Sequence, residues 1–523
     1  MKKKNLFIGI ALLFSAIIAT PLFAQTADRS YYVDLVKGND ENNGRSVENA
    51  FESLQKAFEL IKKTTVKKIT FVQAGGDYSR TNAEDTGDAE ILITSMDPKA
   101  EIRLGSFYIS GKSKVRFESI KIVRSEFLVS EGAQVVVGKD VEIYGVGIVE
   151  NSKLTIGSNA KIISTRSTWD SYDYEGIRIR GNAKVLIKDD VTITGSHHDG
   201  ISIGSGELII QDNVTITTSQ GNNGTGNGIS IRSGELIIQD NVKISGCSEA
   251  GLNIERGKVT LKGSVVISDN TGGGIRMITG DLTIQDEVSI TSNKAQNNGG
   301  GICFSFSPHG NQNTTAKISG NVVISNNSAK YGGGIYIRGA TEKDYHYIGE
   351  EVYNSDDSVR EYRRPGIFVV MEGSASIKDN KATEGGGVFI AEGSVMSHYI
   401  EDLKKNTLTI TQKVGGFEMR GGTISGNKAD YGAGIYVAAT ELSIPEEEGE
   451  YDKIHNDFIV VYTDKNINMP AFTHTGGSIT ANEAEFVGGG IYVKNKGAYA
   501  AGKGTITDNT AGDGEGENLY QLE

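Results

Sequence analysis

Asn327-Ser-Ala-Lys-Tyr-Gly-Gly-Gly-Ile-Tyr-Ile337 decides the fold, because the phrase keeps returning. It recurs as Asn380 to Ile390, with Val388-Phe389 in place of Ile-Tyr, as Asn427 to Val437, and with one extra residue as Asn482 to Val493. Such repetition marks an array of similar units, each too small to bury its apolar face alone. Nearer the N-terminus, Leu208-Ile-Ile-Gln-Asp-Asn-Val-Thr-Ile216 is echoed by Leu236 to Ile244 and by Leu282 to Ile290. Aligning their valines gives Val191, Val214, Val242, Val265 and Val288, at spacings of 23, 28, 23 and 23 residues. Apolar residues alternate with period 2 inside these segments, which is strand spacing; a helix needs a period near 3.6. The repeat is therefore one coil of a solenoid of parallel strands, its inward Ile, Val and Leu stacking into one long core. A second column opens each coil, from Gly176-Ile-Arg-Ile and Gly200-Ile-Ser-Ile to Gly434-Ile-Tyr-Val and Gly490-Ile-Tyr-Val. About sixteen coils at ~4.8 Å per strand predict a rod on the order of 75 Å long.

The N-terminus reads differently. Met1 and three lysines precede an apolar run, Leu6 to Ala19, and then Thr20-Pro-Leu-Phe-Ala24. This is the pattern of a secretory signal peptide over residues 1–24, too short to span and flank a bilayer. Its removal takes the formal net charge from −13 to −16, since it carries three lysines and no acids. An acidic exported chain argues against nucleic acid as partner, which needs clustered Lys and Arg. No later stretch is apolar enough to cross a membrane as a helix. Cys247 and Cys303 occupy different kinds of position, which predicts free, partly buried thiols.

Residues 25–72 hold a strand, Tyr31-Tyr-Val-Asp34, the turn-rich Lys37-Gly-Asn-Asp-Glu-Asn-Asn-Gly44, and an apolar helical stripe of Phe51, Leu54, Phe58 and Ile61. The acidic loop is a candidate calcium site, against the simpler reading of Asx and Gly turns. Strand, loop and amphipathic helix in this order resemble the N-terminal cap of pectate-lyase-like proteins. The resemblance implies a single-stranded right-handed parallel β-helix over residues 73–523, all-β except for a short N-terminal capping helix. Long loop insertions are expected at about 338–370, 391–418 and 438–474.

Ile-x-x-Asn-x-Ala followed by Gly-Gly-Gly-Ile stands at Ile290/Asn293, Ile324/Asn327, Ile377/Asn380, Ile424/Asn427, Ile479/Asn482 and, in its first half, Ile506/Asn509. It resembles the repeated motifs of chlamydial-type polymorphic outer membrane proteins over the C-terminal half of the chain. Two departures stand out: Ile replaces Phe in the first motif, and no C-terminal membrane barrel follows. The resemblance implies an exported, adhesin-like passenger at the outer membrane or cell surface, extracellular or periplasmic.

Residues that repeat in register build the fold; breaks in register are where function can sit. Asp212, Asp240 and Asp286 recur at one corner as turn formers, and the column Asn293, Asn327, Asn380, Asn427 and Asn482 reads as a stacked amide ladder. The first break is Thr168-Trp-Asp-Ser-Tyr-Asp-Tyr-Glu-Gly176 with Ser196-His-His-Asp-Gly200. Stacking brings Trp169, Asp170, Asp173, Glu175, His197, His198 and Asp199 to one corner. Trp169 could meet a ligand, and Asp170, Asp173 and Glu175 are the candidate calcium or metal ligands. His197, His198, Asp199 and Asp173 are the candidate acid–base set of an alternative reading, a pectin-lyase-like polysaccharide lyase or glycoside hydrolase. His-His-Asp-Gly resembles the Asp-Gly strand starts of polygalacturonases, but no complete catalytic set of those families or of the pectate lyases is present. The second break is the three insertions, rich in charge and in tyrosine (Tyr345, Tyr347, Tyr353, Tyr362, Tyr399, Tyr451, Tyr462), which leave one corner of successive coils. There the outward column changes from Arg178, Ser202, Ser230, Asn253, Arg276 and Cys303 to Tyr336, Phe389, Tyr436 and Tyr492. This aromatic stripe either packs beneath the insertions or recognises a glycan or a surface protein. A purely structural cell-surface role is the third reading. The last segment, Asn509 onward, begins a coil without an evident cap, so a partner chain or further domain is expected at that edge.

Overall fold

The computed structural model describes residues 30–522 except 78, 124–125, 165–175, 196–197, 219–225, 306–312, 339–351, 354–358, 364–365, 392–395, 403–406, 414–415, 439–458, 463–469, 495–497 and 513. Residues 1–24, the expected signal peptide, lie outside them. From Lys68 onward every coil contributes one strand to each of three faces, and Ser30–Val33 adds one more to the first. Sheet A has 16 strands, from Ser30–Val33 to Tyr499–Ala501; sheet B has 15, from Gly75–Asp77 to Thr505–Thr507; sheet C has 15, from Thr81–Glu84 to Leu519–Gln521. All pairings in these sheets are parallel and run in chain order, as in Leu208↔Leu236, Ile216↔Ile244 and Ile201↔Ile229. The molecule is a right-handed parallel β-helix.

Strict alternation explains the core. In one coil Ile229, Ile231, Leu236, Ile238, Val242 and Ile244 are each at most 1% exposed, while Ser230 and Ile237 between them face outward. Each such side chain contributes about 1.5–3 kcal/mol on burial. A one-residue slip would expose the whole set, so the register repeats coil after coil. Corners are fixed by local chemistry. Asp212 and Asn213 (φ 59° and 65°), like Asp240 and Asn241 (56° and 61°), form consecutive left-handed residues between sheets A and B. Short polar side chains tolerate that conformation better than other L residues, so these aspartates are turn formers, as their recurrence predicts.

The helix spans Leu54–Ile61, with Ser53 as N-cap accepting from the Lys56 amide at 3.2 Å. Phe51, Leu54, Phe58 and Ile61 are all fully buried, so the stripe seals the end of the core. The strand Ser30–Val33 pairs with Lys68–Phe71 and already belongs to sheet A. Among the described residues, no helix is long and apolar enough to cross a membrane.

Candidate functional site

The corner between sheets B and C is built from the repeated phrase. Asp269, Ser292, Asn326 and Asp379 adopt left-handed φ of 55–59°, and each turns the following asparagine inward. Asn270, Asn293, Asn327, Asn380, Asn427, Asn482 and Asn509 are at most 3% exposed. The Asn327 amide N–H and its Nδ2 both donate to Asn380 Oδ1 at 3.0 Å, and Nδ2 also donates to the Ile290 carbonyl at 2.9 Å. The same pattern runs through Asn380, Asn427 and Asn482, and Asn509 donates in turn to Asn518. From Asn293 to Asn509 each oxygen accepts twice and each Nδ2 donates at least twice, so these buried amides are satisfied. Glycine is required beside the ladder. A Cβ at Gly334 would stand 2.5 Å from the Gly387 carbonyl and 3.1 Å from Asn380 Nδ2.

Outside sheet C, the middle residues of successive strands form one column: Arg276, Cys303, Tyr336, Phe389, Tyr436, Tyr492 and Tyr520. From Tyr336 onward the rings stack, with centroids 5.5, 5.0, 4.7 and 5.3 Å apart and planes within 18°. The stripe is not open to solvent. Tyr336, Phe389 and Tyr436 are 6%, 7% and 9% exposed, because their faces lie against each other and Ala391 and Ala438 pack beside them. Alternation puts a residue outside the sheet but does not determine what covers it. Of the two readings of the stripe, this geometry supports packing. Burial pushes the Tyr336 hydroxyl up to about 12 and raises that of Tyr436 further still. The column opens at Tyr492, which is half-buried.

A second column lies alongside: Asn298, Tyr331, Glu384, Tyr431 and Val487 pair in order. Tyr331 packs on Phe389 at 5.3 Å, and Tyr431, 37% exposed, on Phe486 at 5.2 Å. Glu384 sits between these tyrosines in the column. Burial raises its carboxyl above the usual range; Lys494 and Lys330 oppose this, and Asp430 reinforces it. Lys330 Nζ also lies 5.0 Å from the Tyr331 ring centre. Motif reading missed Tyr331, Glu384 and Tyr431, although all three stand immediately before the first glycine of the repeated phrase. It also missed Asn270, Asn518 and Tyr520 as members of their columns.

The three insertions leave the other end of the sheet C strands, at the corner between sheets C and A, and their strands join. Val352–Tyr353 and Val359–Arg363 from the first, Met396–Asp402 and Thr407–Lys413 from the second, and Ile459–Tyr462 from the third form one five-stranded sheet in that order. Val359–Arg363 pairs antiparallel with Met396–Asp402, and Thr407–Lys413 pairs parallel with Ile459–Tyr462, so the second insertion bridges the other two. Coil strands resume at Ile367, Gly416 and Phe472. Tyr345, Tyr347 and Tyr451 lie outside the described residues; Tyr353, Tyr362, Tyr399 and Tyr462 fall on strands of the sheet.

At the earlier break, Trp169, Asp170, Asp173, Glu175 and His197 lie outside the described residues. His198 and Asp199 are described. Gly176 stacks under Gly200, and Gly200 under Gly228, so the strands that follow these segments pair in register. Asp199 Oδ1 accepts from the Asn227 amide at 2.7 Å and from its Nδ2 at 3.0 Å, which ties the carboxylate to the next coil. In the acidic loop, Asp40 accepts from the Glu52 and Ser53 amides and the Ser53 hydroxyl. Burial pushes the Asp34 carboxyl up, but bonds from Gln73, Val36 and Lys37 outweigh it and hold the group below its usual value. Both carboxylates serve turns. Among the described residues no three His, Cys, Asp or Glu gather as a metal site. Cys247 and Cys303 are unlinked and buried rather than partly buried; desolvation raises both thiols, Cys303 to about 12.

A family model described as right handed beta helix region matches residues 144–313, the regular coils before the first insertion. No curated protein and no solved structure matches the chain.

Proposed function

We propose that the protein is an exported, surface-associated binding rod, adhesin-like in role, that recognises a glycan or a partner surface protein at the corner carrying its insertions. The observation that carries this reading is the five-stranded lateral sheet, assembled from three separate insertions leaving successive coils. Loops that only closed their own coils would have no reason to pair with each other. Binding residues are commonly carried on connecting segments held by a rigid scaffold. The basic and apolar start of the chain supports export, and the motif resemblance to polymorphic outer membrane protein passengers supports a surface role. The buried rings Tyr336, Phe389 and Tyr436 hold the scaffold together; the half-open edge where Tyr492 meets Glu384, Tyr431 and Phe486 of the neighbouring segment is the part suited to touching a ligand.

The test is a glycan array, a polysaccharide panel and a cell-surface binding assay on the mature chain. The comparison variant has its second insertion, residues 391–415, replaced by a short turn like that between Ile254 and Gly257. Binding that disappears in the variant while the rest of the β-helix keeps its circular dichroism supports the proposal. Equal binding by both proteins removes the insertions from recognition. New reducing ends or unsaturated sugar products would replace the binding role with an enzymatic one.

A further inference from the structure

The inner column of sheet A passes through Ile284, Ile318, Met371 and Met419, then His474, then Ala501. An imidazole thus occupies a core position that the preceding coils fill with aliphatic or thioether side chains. His474 is 0% exposed, and neither Nδ1 nor Nε2 has a hydrogen-bond partner among the described residues. Its ring stacks on Phe472 at 5.9 Å, and Gly504 of the next coil lies so close that any side chain there would strike the imidazole. The preceding coils use the same joint, with Met371 beneath Gly422 and Met419 beneath Gly477. The joint suits an uncharged group.

The charged and titratable groups around it offer an imidazolium no partner. On the preceding strand Glu418 is bonded to Arg420 at 2.7 and 2.6 Å, flanking Met419. On the following coil, Tyr499 stacks on Phe472 at 5.3 Å with its hydroxyl pushed up by burial, and Lys503 lies exposed between Gly502 and Gly504. Sheets B and C contribute Ile424, Ile479, Val437 and Val493 to the same core. A buried charge without a partner is strongly disfavoured, and the group reaches water instead. The coil that follows His474 is the open side of this core, with Ala501, Gly502, Lys503 and Thr505 exposed.

We propose that His474 is an acid-operated latch: protonating its ring parts the last coils, from Phe472 onward, while the coils before the insertions stay closed. The parted segment contains the ladder residues Asn482 and Asn509 and the Tyr492–Tyr520 ring pair, and it follows the third insertion directly. Burial depresses the pKa of the ring below its ordinary 6.5; the nearby backbone of Gly477 and Gly476 opposes this without reaching hydrogen-bond geometry. A depressed histidine contributes stability in full above the unfolded value of about 6.5, and this is lost as pH falls toward the folded value. The open form gains up to about tenfold per pH unit, or up to about thirtyfold between pH 6.5 and 5. The latch is independent of whatever binds at the lateral sheet.

Hydrogen exchange read by mass spectrometry at pH 7.5 and pH 5.0, corrected for intrinsic exchange rates, tests it. Amides from 472 to 507 should lose protection at pH 5.0, by up to about thirtyfold, with amides from 229 to 290 unchanged. His474→Met, which restores the residue of the two preceding coils, should abolish the acid step, and His474→Leu repeats the comparison if the methionine variant does not fold. An acid step that survives substitution, one that spreads over the whole rod, or none in the wild type overturns the proposal.

Discussion

The coils around residues 176–290 and those around residues 301–493 share one core but are joined differently. In the first group the outward residues of sheet C are Arg178, Ser202, Ser230, Asn253 and Arg276, and coils are closed by short turns. In the second the same column becomes a ring stack, the asparagine ladder that begins at Asn270 runs through every coil, and insertions separate sheet C from sheet A. Loop-closure entropy accounts for the difference. Lengthening a connection from three residues to roughly 28 costs about 2 kcal/mol per coil. The later coils add a doubly accepting buried amide, at about 1 kcal/mol per hydrogen bond, and an aromatic pair, at about 0.5–1.5 kcal/mol. These additions match or exceed the cost. Extra joints appear where the chain has to leave the rod and return.

The largest break in that comparison should come from Asn380→Asp. The carboxylate would still accept from Asn327, but its second oxygen would face the Ile324 carbonyl and Asn427 Oδ1, which now receive the Asn380 Nδ2 hydrogens. A buried charge facing acceptors should cost about 3–5 kcal/mol, and Asn380→Ala about 3 kcal/mol for the donors it orphans. Urea unfolding followed by hydrogen exchange should place the loss in coils 367–437 and leave 200–260 untouched. An Asp variant as stable as wild type would mean that the ladder does not bind these coils.

Next comes the ring stack. Phe389 touches Tyr331, Tyr336 and Tyr436, so Phe389→Ala should cost about 3 kcal/mol. The equivalent substitution in the early coils, Ser230→Ala, should stay within about 0.5 kcal/mol. Thermal unfolding of the two variants measures the contrast directly; equal losses would make the stack ornamental.

How much of this was legible depends on whether a residue acts through repetition. The coil, its register, the Asp240-type turns and the Asn ladder all repeat, so one sequence displays each many times over. Insertions that share a corner could be foreseen to share a surface, but not to pair as Met396–Asp402 does with Val359–Arg363, because pairing depends on loop paths that no period fixes. The burial of Tyr336 and Phe389 escaped the alternation pattern for the reason already given: parity assigns a face, not its cover. His474 was hidden because its strand, Phe472–His474, follows an insertion without the usual glycine signal, so it fell inside the expected loop at 438–474. Glu384 was hidden as the one carboxylate in a column that otherwise holds Asn298, Tyr331, Tyr431 and Val487.

The smallest effect concerns that carboxylate, and its sign is the informative part. The folded-state carboxyl of Glu384 is held above its ordinary 4.5, chiefly by burial. A raised group contributes stability below the unfolded value that is lost as pH rises through the folded value. At pH 7 the wild type therefore carries an unfavourable ionised carboxylate, and Glu384→Gln should raise the melting temperature slightly, within about 0.5 kcal/mol for a half-exposed site. Below pH 4.5 the advantage should vanish. If the glutamine variant is instead less stable at pH 7, attraction to Lys330 and Lys494 outweighs burial, and the carboxylate belongs to the joints of the later coils. A gain would mark Glu384 as a residue kept at some cost to the fold, which is what a ligand-contacting position at this edge requires.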